Sequence, residues 1–153
     1  MTGDKLLLLH DEIADLHQAA DHLRFSLERT RALLPGADWS PEDMERLEAL
    51  TSRFARLSDL LTQRIMRLVD DIELIPAGTL LDRMHRAEKR GWINDARDLV
   101  RIRELRNLIA HEYAADKMAE IYSSVAVLAP DLLALVPRVA AYVVKLEKRY
   151  SSL

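Results

Sequence analysis

An all-α bundle of five or six helices, with two long N-terminal helices in an antiparallel hairpin, is the architecture that this chain predicts. Apolar residues recur at three- and four-residue steps through most of the sequence. Pro and Gly mostly punctuate those runs. No stretch alternates apolar and polar residues as a half-buried strand would, and there is no internal repeat or low-complexity tract.

The first helix is expected from about Asp4 to Leu34, where Leu6, Leu9, Ile13, Leu16, Ala20, Leu23 and Leu27 keep the helical step and Pro35-Gly36 stops it. His10, His17 and His22 lie on this helix. His10 and His17 are aligned, but His22 is about 140° round from His17, so the three do not converge as metal ligands would and no metal site is expected. Ser40-Pro41-Glu42-Asp43 begins the second helix with a cap, a proline at the first helical position and acids in the first turn. Its stripe of Leu47, Leu50, Phe54, Leu57, Leu61, Ile65, Leu68 and Ile72 suits an antiparallel bundle, and a dimer seam is the other use of such a pattern. Pro76-Ala77-Gly78 ends it.

Thr79 with Asp82 resembles a capping box for a shorter helix from Leu80 to Arg90, closed by Gly91. Trp92-Ile93-Asn94 leads to the central helix, Asp95 to Tyr113, capped by Asn94 or Asp95. After Asp116, a plausible cap, one helix is expected to about Leu128. Pro130 and Asp131 start another, carrying Leu132, Leu135, Val139, Val143 and Leu146 to Tyr150, with Pro137 as a kink.

The central helix holds residues that a core does not require. Leu99, Ile102, Leu105, Leu108 and Ile109 form its apolar stripe, while Arg103, Asn107 and His111 follow one another at four-residue steps on a neighbouring stripe. Glu104 precedes His111 by seven residues, close enough in line to hydrogen-bond the imidazole. Arg106 and Tyr113 share a line in the same way. A guanidinium, an amide, an imidazole and a phenol on one side of a helix suit phosphate chemistry. The plainer account is that the arginines are solvated, His111 interacts with the helix dipole and Tyr113 is an amphipathic edge.

Arg106-Asn107-Leu108-Ile109-Ala110-His111-Glu112-Tyr113 resembles the R-x4-H-x-Y signature of the HEPN superfamily, and the whole chain is similar to its HepT branch. That branch comprises small helical ribonuclease toxins paired with MntA-type nucleotidyltransferase antitoxins. Glu112 stands where an Asp is common. The resemblance implies metal-independent endoribonuclease activity without a cofactor, with Arg106 and His111 catalytic. It also implies a homodimer whose two motifs face each other across a shared cleft. Glu104 and Asn107 are the expected supporting residues, Glu104 fixing the imidazole tautomer and Asn107 orienting the phosphate or His111 itself. The resemblance further implies that a partner nucleotidyltransferase modifies Tyr113 with AMP and so silences the toxin.

Composition bounds the rest. The 153 residues are read as a single domain, 1–153, and at 49% hydrophobic they can bury a real core. The chain has no cysteine, so disulfides and thiol catalysis are excluded. Four glycines leave no phosphate-cradling loop. The short leucine run before His10 does not make a signal-peptide core, and Pro130, Asp131, Pro137 and Arg138 argue against a membrane span at Ile121 to Val144. A cytoplasmic protein is therefore expected.

The net charge of −3 requires any nucleic-acid contact to be local. Arg83, His85, Arg86, Lys89, Arg90, Arg97, Arg101, Arg103 and Arg106 fall close together, and Lys89, Arg90, Arg97, Arg101 and Arg103 are the candidate RNA contacts. Neighbouring acids that simply solvate this face are the alternative. A second functional reading is a non-catalytic docking or substrate-binding subunit of a nucleotidyltransferase.

Overall fold

A computed structural model describes residues 2–111 and 115–151, and among them there are five helical rods and no strand. The first rod is α1 (Thr2–Thr30), prolonged by a 3-10 turn at Arg31–Leu33. The second comprises α2 (Pro41–Asp59), a π-helical turn at Leu60–Ile65 and α3 (Met66–Ile72). Each is 32 residues long and they pack side by side as the expected hairpin. α4 (Leu80–Lys89), α5 (Ala96–Ile109) and α6 (Ala115–Ser151) follow.

Local chemistry explains the starts and stops. Ser40 and Asp43 form a reciprocal capping box at α2, with Pro41 just inside, and Thr79 and Asp82 do the same at α4. Gly36 is needed for close approach, because a Cβ there would lie 2.6 Å from the Leu33 carbonyl oxygen. The second rod closes through Leu74, whose φ of 58° lets the Ile75 amide bond back to the Asp70 carbonyl oxygen. A leucine in this left-handed region is strained, and its side chain is 87% exposed. Leu74→Gly is therefore expected to raise the unfolding free energy by about 1 kcal/mol, read as a higher urea midpoint at unchanged slope.

Leu9, Leu16 and Leu23 of α1, Leu50, Phe54, Leu57, Leu61 and Ile65 of the second rod, and Leu132, Val139 and Leu146 of α6 are buried together in one core. Removing each from water contributes about 1.5–3 kcal/mol. Leu108 departs from expectation: it is 43% exposed and does not join the core.

The C-terminal region is a larger correction. A helix break at Pro130 is expected from the sequence, yet α6 runs unbroken for 37 residues through Pro130 and Pro137. Both prolines are exposed, while Ala129, Leu132, Leu133, Val136 and Val139 beside them are buried. The lost amide hydrogen bonds fall on the solvent side, and tertiary burial outweighs the local penalty. Those residues therefore do not interrupt the apolar helix. By length and composition alone it could cross a membrane; here it packs against α1, α2 and α5.

Candidate functional site

Asp70 anchors α4 to the second rod. This carboxylate, 2% exposed, accepts two hydrogen bonds from Arg86 at 3.0 and 2.7 Å and one from Arg90 at 2.9 Å. Arg90 also pairs with Glu73 at 3.0 Å, and Glu73 accepts a 2.6 Å bond from the Tyr142 hydroxyl. With the Arg90 side chain 8% exposed and its guanidinium stacked over Trp92, its place among the expected RNA contacts is corrected: it is enclosed in a structural network.

α5 starts where the Asp95 side chain accepts from the Arg97 amide and the Glu88 side chain accepts from the Ala96 amide. Ala96, Leu99, Ile102 and Leu105 face inward, which swings Arg103 and Arg106 toward the end of α2. There Asp59 receives both. Arg106 donates from Nε and Nη2, each at 2.8 Å, and Arg103 donates from Nη1 at 2.8 Å. Partial burial alone would raise the Asp59 carboxyl, but the hydrogen bonds and charges of Arg106 and Arg103 hold it below its ordinary range. The same bonds push the Arg106 guanidinium up.

Around this pair lies an open depression of about 650 Å³. Among the described residues Arg56, Arg64, Arg103 and Arg106 line it, with Asp59 as the one acid, and Ser52 and Gln63 add neutral polar groups. The π turn shapes the wall. Its widened turn places residues five apart, such as Asp59 and Arg64, on one side. Nearby, Arg83 on α4 is 5% exposed, and its Nε is buried without a hydrogen-bond partner. Burial pushes its pKa down, and the neighbouring charges of Arg67, Arg86 and Arg103 act in the same direction.

The other expected site residues are distributed unevenly. α5 ends at Ile109, so the stripe expected to carry Arg103, Asn107 and His111 stops at Asn107. His111 stands exposed in the following turn, where its amide donates to the Leu108 carbonyl oxygen at 3.1 Å. Glu104 and Asn107 are exposed on α5. Arg97 pairs with Asp95 and Arg101 with Asp98, on the side of α5 turned away from Arg106. Lys89 is exposed on α4. Tyr113 and the side chain of Asp116 lie outside the described residues.

Asp59 is the residue that sequence reasoning missed, because its partner is 47 positions away. Two signals were present. Asp59 is the one acid between Glu48 and Asp70, and the apolar stripe slips by an extra residue at Leu57, Leu61 and Ile65 relative to the heptad before it.

Hydrogen bonds and neighbouring arginines lower Glu73 as well as Asp59, against the opposing effect of burial. Both carboxyls therefore bind protons less readily folded than unfolded, and the stability they contribute is lost as pH falls through their folded values. The urea midpoint is expected to decline below about pH 4, and Asp59→Asn is expected to flatten part of that decline.

No family model, no curated protein and no solved structure matches the chain.

Proposed function

We propose that this chain is an RNA-cleaving toxin of the HepT type, silenced by a partner nucleotidyltransferase. The observation that carries the reading is the position of Arg106: in the last turn of α5, at the edge of an arginine-lined depression, with His111 in the exposed turn just beyond. Asp59 engages only Nε and Nη2 of Arg106. The Nη1 hydrogens and one on Nη2 remain for a phosphate, so Asp59 can orient the fork without exhausting it.

The His111 imidazole takes the proton from a ribose 2′-hydroxyl. The freed 2′-oxygen attacks phosphorus, the bond to the 5′-oxygen breaks, and an acid on the far side returns a proton to that leaving oxygen. Arg106 stabilises the added charge in the transition state. A two-fold dimer would supply the second histidine. The products would be a 2′,3′-cyclic phosphate and a 5′-hydroxyl, formed in a cytoplasmic setting without a cofactor. Addition of AMP to Tyr113, seven residues after Arg106 in the sequence, would add negative charge to the motif and repel the substrate. Of the candidate RNA contacts, Arg103 lines this depression, and Arg97 and Arg101 lie on the opposite side of α5.

One observation favours the docking reading instead: Arg106 is already doubly bonded to Asp59, and the adjacent Leu108 is exposed, as on a protein-binding surface. Incubating purified protein with single-stranded RNA in the presence of EDTA separates the two. Cyclic-phosphate ends support the nuclease, and intact RNA supports docking.

A further inference from the structure

The arginine-lined depression does not end at Arg106. A second depression of about 330 Å³ lies along the same helix, lined by Phe25 and Arg29 of α1 with Arg46 and Arg53 of α2. The two sets of lining residues interleave on α2, since Ser52 and Arg56 belong to one while Ala49 and Arg53 belong to the other. Arg53 and Arg56 are three apart and therefore neighbours on the helix surface. From Arg53 to Asp59 the axial distance is about 9 Å.

The two depressions offer different chemistry. Among the described residues the one at Arg106 presents four guanidinium groups against one carboxylate, and no aromatic ring lines it. It suits a charged backbone and is indifferent to the bases. The other presents Phe25, 56% exposed, with the guanidinium carbons of Arg29 and Arg53 5.4 and 5.8 Å from its ring centroid. Arg53 is held there by a 2.7 Å bond to the buried Ser26 hydroxyl and a 3.2 Å bond to the His22 carbonyl oxygen. An exposed aromatic ring with guanidinium groups over it offers stacking planes of both kinds to a flat, unpaired base. Glu42 and Glu45 on the far rim limit the net charge there. The π turn beside Asp59 is a further irregularity of a kind that recurs at functional sites, and it brings Arg64 to the track.

We propose that the α2 surface is a binding track for single-stranded RNA, on which Arg56 and Arg64 hold the phosphates next to the one held by Arg106, and Phe25 stacks an unpaired base. The track rests on the nuclease reading for its centre: RNA runs along α2 through the cleavage site, from Arg64 on one side to Arg56 and Phe25 on the side of the α1–α2 connection. Arg56 makes no ion pair among the described residues, and Arg64 reaches only Glu12, at 3.6 Å. Both guanidinium groups are exposed and available to an anion.

The test is fluorescence anisotropy with a labelled single-stranded 2′-O-methyl RNA of about ten nucleotides, titrated over a salt series. The blocked 2′-position prevents cleavage, so binding is read separately from catalysis. The Arg56→Ala/Arg64→Ala double variant is expected to bind about ten-fold more weakly and to lower the slope of log affinity against log salt by about 1.4. Phe25→Ala is expected to weaken binding about five- to a hundred-fold at unchanged slope. Wild-type affinity in these variants overturns the track. An equal loss in Arg97→Ala/Arg101→Ala also overturns it, because attraction would then be diffuse. If the expected pattern appears while ordinary RNA stays uncut, the track stands and the nuclease reading falls.

Discussion

Arg106→Ala and His111→Ala are each expected to lower the proposed RNA cleavage by about a hundred-fold or more and to abolish growth arrest on induced expression. The two variants fail for different reasons. His111 is exposed in a turn, so its replacement is expected to move stability by no more than about 0.5 kcal/mol, and the loss is chemical. Arg106→Ala removes two hydrogen bonds from Asp59, which keeps only its bond to Arg103. Arg106→Lys therefore supplies the control: it restores a cation but not the planar fork, and cleavage is expected to remain low while the urea midpoint recovers in part. Protein level and total RNA should be followed in the same cultures. Harmless expression of wild type, without any antitoxin present, would overturn the nuclease and leave the docking subunit.

The largest effect on stability is expected at Asp70. Asp70→Ala leaves the enclosed guanidinium of Arg90 with Glu73 alone, takes both carboxylate bonds from Arg86 and exposes Arg86 and Arg83 to each other's charge. The cost is about 3–5 kcal/mol, a large share of the stability of a domain this size. Asp70→Asn keeps the volume and some acceptor capacity, so it should fall between the two. Urea denaturation of the three proteins checks the order, and a midpoint unchanged in Asp70→Ala would show that the network contributes little.

What could be read from sequence was what depends on near neighbours. The helix starts at Ser40 and Thr79 follow from side chains three residues from the amides they cap. The buried stripe from Leu47 to Ile72 follows from periodicity, with Leu68 only partly covered. What failed was what depends on distant partners. Pro130 is a reason to end a helix until Leu132, Leu133 and Val136 are seen buried around it. Arg90 reads as a surface cation until Asp70 and Glu73, on the preceding rod, enclose it. Arg106 and His111 were legible as a pair of residue types. The carboxylate that orients Arg106 was not, since nothing local links α5 to Asp59.

Trp92 makes part of this architecture optically readable. It is 1% exposed, with the Tyr142 ring edge-on at 5.3 Å and the Arg90 guanidinium over its face, so its indole senses the joint of α4 with α6. The other tryptophan, Trp39, meets Tyr122 edge-on at 5.5 Å in the α1–α2 connection. Trp39→Phe and Trp92→Phe would each leave a single tryptophan. One molecule, without any label, could then report whether its two ends loosen together or apart.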